Sequence, residues 1–190
     1  MSTETRADTT KMMFDSLETL YRQGQSLLMD ADRVMDERGW EPRGTDGPAE
    51  FSRALSLPER WYARWAVRFY WRALREGQEA AIARIFYVGI HFASDDDITI
   101  EEPSVSAGRL SYGSPMSVKQ ADHSYEYWMC KYWWYLTNPH QSREGWRQGG
   151  QSPDVENLKR TEAFAVPLYD ITSRDKLEML VIDPLLSDTE

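Results

Sequence analysis

Seven apolar or small residues between Met13 and Val34 fall at steps of 4, 3, 4, 3, 4 and 3: Met13, Leu17, Leu20, Gly24, Leu27, Ala31 and Val34. That is a heptad seam, and it predicts one helix over residues 11–38, roughly 40 Å long at about 1.5 Å per residue. Gly24 weakens such a helix by ~1 kcal/mol relative to alanine, unless a neighbour packs closely there. Gly39 follows as a C′ stop. Three heptads serve an intramolecular helix pair as well as self-association through helix 11–38. The helical pattern that follows favours the intramolecular pair.

Residues 40–56 read as a linker punctuated by Pro42, Gly44, Gly47 and Pro48. A second helix is predicted over 57–76, with Pro58 in its first turn and Gly77 as its stop. The period then changes. Residues 83–93 read as a strand with Phe86, Val88, Ile90 and Phe92 on one face and Tyr87, Gly89 and His91 on the other. A second strand covers 105–112 and is followed by a turn at Gly113, Ser114 and Pro115. The aromatic segment 124–136 favours a strand, with a helix as the alternative. A long polar loop spans 137–160. A last strand covers 161–171, with Pro167 suited to an edge. Thr172, Ser173 and Asp175 cap a short final helix ended by Pro184. The expected fold is therefore α+β: two N-terminal helices, an antiparallel sheet of about four strands and a short C-terminal helix. The organisation is a flexible terminus (1–10), a single domain (11–186; helical part 11–77, sheet part 83–186) and a loose tail (187–190).

The charge distribution is uneven. The net charge is −9, yet residues 53–75 hold six arginines against the single acid Glu59, giving +5 and leaving −14 for the remainder. Arg60, Arg64, Arg68 and Arg72 are spaced four apart and would share one helical face, with Trp61 and Trp65 beside them. Like charges at that spacing oppose one another, so something negative should lie opposite. The intramolecular candidate is the acid-rich first helix, with Asp15, Glu18, Asp30, Asp32 and Asp36. The external candidates are an acidic protein partner and the phosphates of a nucleic acid or nucleotide.

Catalytic patterns are sparse. His91, His123 and His140 have no metal-site spacing, and the lone Cys130 excludes a disulfide within the chain. Asp95 and Asp97 are weak candidates for a hard cation, and a solvated turn explains them as well. Tyr87, His91 and Trp133 could line a pocket between sheet and helices. No cofactor is called for. No segment has a secretory h-region or ~20 uninterrupted apolar residues, so the expectation is a cytoplasmic chain that does not engage a membrane. The resulting reading is a non-catalytic interaction or accessory domain that binds an acidic protein through an Arg/Trp-rich helix. The alternatives are a nucleic-acid or nucleotide binder using the same arginines, and a ligand-sensing or hydrolytic α+β domain.

Overall fold

A computed structural model describes residues 3–43, 65–72, 81–92, 102–117, 147–149 and 158–187. The heptad seam forms the helix it predicts. This helix, α1, spans Thr3–Glu37 and begins eight residues before the expected start. Extension of a formed helix adds a hydrogen bond per residue without repeating the nucleation cost. Gly39 stops it at φ +79°: the Gly39 N–H donates to the Asp36 carbonyl and the Trp40 N–H to the Met35 carbonyl, a Schellman pair.

Six strands follow among the described residues: β1 (Glu41–Arg43), β2 (Trp65–Trp71), β3 (Ala81–His91), β4 (Ser104–Ser117), β5 (Arg147–Gly149) and β6 (Leu158–Pro167). They form one sheet in the order β1-β2-β3-β4-β6-β5, and every neighbouring pair is antiparallel. The antiparallel α+β expectation holds, but the sheet has six described strands rather than about four, and other details change. The described part of the predicted second helix is strand β2, because Trp65, Val67, Phe69 and Trp71 alternate onto one buried face. The predicted turn at Gly113–Pro115 lies inside β4. The β3–β4 register jumps between Ile82/Met116 and Arg84/Ser111, so the turn-forming residues are absorbed as a bulge. The predicted strand over 124–136 lies outside the described residues.

Helices cover one face of the sheet. Leu27, Ala31, Val34 and Met35 of α1 pack on Tyr70, Phe86, Val88 and Ile90. A C-terminal helix, α2 (residues 174–186), adds Leu177, Val181, Ile182 and Leu185 to the same core. It opens behind Ser173, whose side chain accepts from the Lys176 N–H. It runs through a π segment, Glu178–Ile182, into Asp183–Leu186. Pro184 therefore does not end it, because the widened turns pass over a residue that lacks an N–H. The opposite face holds a second buried cluster that includes Trp65, Phe69, Ile85, Tyr87 and Leu110.

Gly24 is a point of close contact between α1 and Phe92, the residue after β3. A Cβ there would lie 2.7 Å from the Phe92 ring, which also meets Tyr21 edge-on at 5.0 Å. The close neighbour that justifies a mid-helix glycine is thus Phe92. Gly24→Ala is expected to destabilise the protein although alanine is the better helix former by ~1 kcal/mol. In a Phe92→Leu background the same change should stabilise it. A double-mutant cycle by urea unfolding reads that change of sign, and equal effects in both backgrounds would remove the ring as the constraint.

Candidate functional site

Of the residues singled out by sequence, Arg68, Arg72, Trp65, Tyr87 and His91 lie in the described structure. Arg60, Arg64, Trp61, Trp133, Asp95 and Asp97 lie outside the described residues. Arg68 and Trp65 are not on a helix, and β2 sends them to opposite faces. Trp65 is buried in the far cluster. Arg68 turns toward α1 and grips Asp32: its Nε lies 3.1 and 3.0 Å from the two carboxylate oxygens and its Nη2 lies 2.6 Å from Oδ2. The Tyr70 hydroxyl donates to the same carboxylate at 3.0 Å. Burial first, and then the Asp32 charge, push the Tyr70 hydroxyl well above its ordinary pKa. The acid-rich first helix does meet this arginine, through one of the five acids named for it. Arg72 lies 4.8 Å over the Trp40 ring. For Arg68, then, the stripe is an internal clamp between helix and sheet.

Tyr87 and His91 share the face turned away from α1, not the face between the sheet and the described helices. Register places Tyr87 opposite Gly108, Gly89 opposite Ser106 and His91 opposite Ser104. The Tyr87 ring lies over Gly108, where a Cβ would fall 2.5 Å from its hydroxyl. His91 Nε2 is 3.3 Å from Ser106 Oγ. A serine beside a histidine is the first half of a nucleophilic dyad. Here both are buried, at 2% and 0% exposure, and burial pulls the imidazole down to about 3. A base held that low is a poor activator of a hydroxyl at neutral pH. Burial also pushes the Tyr87 hydroxyl up. The Tyr87 and Ser104 hydroxyls find no hydrogen-bond partner among the described residues. Among the described residues no group of three or more His, Cys, Asp or Glu could hold a metal ion, and no helix is long and apolar enough to cross a membrane.

The exposed chemistry is elsewhere. From Gly24 onward the α1 seam is buried on the sheet, whereas its N-terminal half projects past it. Met12, Met13 and Phe14 are 61, 69 and 68% exposed, and Leu17 and Leu20 are half-buried. Charges on this arm pair with each other at i, i+4: Lys11 with Asp15 at 2.9 Å and Arg22 with Glu18 at 2.6 Å. A trough of about 850 Å3 runs along the arm between Met13, Leu17 and Leu20 and the exposed Tyr169. A second trough, of about 580 Å3, continues it from Thr19 and Tyr169 to Leu27 and Leu177. The significance of Met12, Phe14 and Tyr169 was missed in the sequence. A signal existed for the first two: three consecutive large apolar residues on a helix sweep about 200° and cannot all face one core.

Comparison with protein-family models, with curated proteins and with solved structures finds no match.

Proposed function

We propose that this chain is a non-catalytic protein-interaction module whose docking element is the N-terminal half of α1. One observation carries the reading: three adjacent large apolar side chains, each more than 60% exposed, stand on a helix that continues past the core it belongs to. A soluble helix exposes such a run at a cost unless something covers it. The acidic partner suggested by the arginines has less support, because Asp32 already engages Arg68. The buried Ser106 and His91 give no support to a hydrolytic reading.

Substituting Met13→Glu and Phe14→Glu together tests the reading. Both side chains are about two-thirds exposed, and glutamate is a good helix former. The melting temperature should therefore move by less than about 2 °C, as for surface changes generally. Size-exclusion chromatography after gentle lysis of the native host should show the wild-type chain in a larger complex and the variant at its own mass. Identical elution of the two chains would overturn the reading.

A further inference from the structure

We infer that the arm's partner is a second copy of this chain, joined through an antiparallel pair of arms; this rests on the docking role proposed for α1. Every charged residue between Lys11 and Arg22 is already paired on its own helix: Lys11 with Asp15 and Glu18 with Arg22. The arm thus has no unmatched charge there with which to select a basic or acidic partner, and its complement is an apolar seam with neutral borders. The arm itself has that character. Thr9, Ser16 and Gln23 border the Met13–Leu17–Leu20 seam on one side, and Phe14 and Tyr21 border it on the other. These are the flanking positions whose charges normally decide which helices pair and in which direction.

A twofold axis normal to an antiparallel helix pair brings each flank against its own copy, because the contact is isologous. Charged flanks would repel in that arrangement, and neutral ones do not. An axis passing near Asp15 places Met13 against Leu17 of the second copy, and Leu17 against its Met13. It brings the two Phe14 rings together and sets Thr9 near Gln23 of the second copy. The charged residues Asp15, Glu18 and Arg22 remain on the outer face. Tyr169, 61% exposed across the trough from the seam, then covers the side of the incoming helix. The exposed seam, Met13 to Leu20, is little more than one heptad long, short of the three or four that sustain an autonomous coiled coil. Association is therefore weak, with a dissociation constant of about 10–100 µM, four to five orders of magnitude above the nanomolar range of tight complexes.

Sedimentation equilibrium of the purified full chain from 5 to 500 µM tests this. The expected result is a monomer–dimer equilibrium in that range, weakened at least tenfold by Met13→Glu with the melting temperature unchanged. Phe14→Ser provides a second variant at an exposed site. Direction is read in a Cys130→Ser background by mixing a Thr9→Cys chain with a Gln23→Cys chain. The antiparallel pair gives the mixed 9–23 disulfide, and a parallel pair gives only 9–9 and 23–23. A chain that stays monomeric to 500 µM, a dimer indifferent to Met13→Glu, or 9–9 and 23–23 products alone would each overturn the inference. A purified monomer whose complexes in the host still depend on Met13 and Phe14 leaves the docking role standing and removes only the self-pairing. A monomer with no arm-dependent complex removes both.

Discussion

Replacing Glu162 by alanine is expected to cost about 3–5 kcal/mol, the usual penalty for leaving a buried charge without its partner. Glu162 on β6 faces Arg109 on β4, and the two side chains are 5 and 9% exposed. Arg109 Nε donates to Glu162 Oε2 at 2.5 Å, and its Nη1 donates to the Ser187 carbonyl at 2.9 Å. Arg160 reaches the other carboxylate oxygen from its half-exposed position. The cluster therefore ties the two long strands to the chain just after α2. Removing the carboxylate takes the counter-charge from a guanidinium that is only 9% exposed. The double variant Arg109→Met/Glu162→Leu should cost far less than the single one, because a well-packed apolar pair removes both desolvation penalties together. Urea unfolding midpoints of the three variants measure this. A loss below about 1 kcal/mol for Glu162→Ala would show that the pair is screened as surface pairs are.

The comparison of β2 with the helix expected there shows what a sequence period can and cannot decide. A spacing of four fits the helical repeat of 3.6, and it is also twice the strand repeat of 2. Arg60, Arg64, Arg68 and Arg72 satisfy both. The discriminating signal lay between them: Trp65, Val67, Phe69 and Trp71 occupy every second position, and their aromatic and β-branched side chains favour a pleated surface. For β3 the alternation was unambiguous, and Phe86, Val88 and Ile90 do face the helix core while Tyr87 faces away. The α1 seam, the Gly39 stop and the Ser173 cap were also legible, since each depends on residues within a few positions of one another.

The site was less legible because its contacts are distant in sequence. Asp32 and Arg68 are 36 residues apart. Charge opposition correctly pointed to the first helix, but choosing one acid among five requires the register of α1 on the sheet. The arm depends on where the sheet ends beneath the helix. The heptad runs unbroken through Met13, Leu17 and Leu20, so its pattern alone does not reveal that burial stops near Gly24. The Met12–Phe14 run was the local sign that the helix outlasts its core.

Stability should fall by about 1.4 kcal/mol for each pH unit between 6.5 and about 3 on account of His91 alone. The imidazole is fully buried on the far face of the sheet, with its Nε2 3.3 Å from Ser106 Oγ, and burial holds it to about 3. An unfolded histidine binds its proton near pH 6.5, so in this window the unfolded state carries one proton more than the folded state. The folded pKa is depressed for a base; the contribution is therefore intact above pH 6.5 and erodes as pH falls. The loss reaches about 2 kcal/mol by pH 5, a large part of the total stability of an ordinary domain. Unperturbed carboxylates titrate near pH 4, which leaves the interval from pH 5 to 6.5 to histidine. Tyr87, on the same face, stays neutral throughout because burial raises its pKa. His91→Gln keeps a group able to hydrogen-bond Ser106 and removes the titration. Urea unfolding at pH 5, 5.5, 6 and 7 should give a profile flatter by about 2 kcal/mol in total between pH 7 and pH 5 for the variant, most of it below pH 6. Parallel profiles for the two proteins would mean that His91 takes up its proton in the folded state at an ordinary pKa, and that the far face of the sheet admits water.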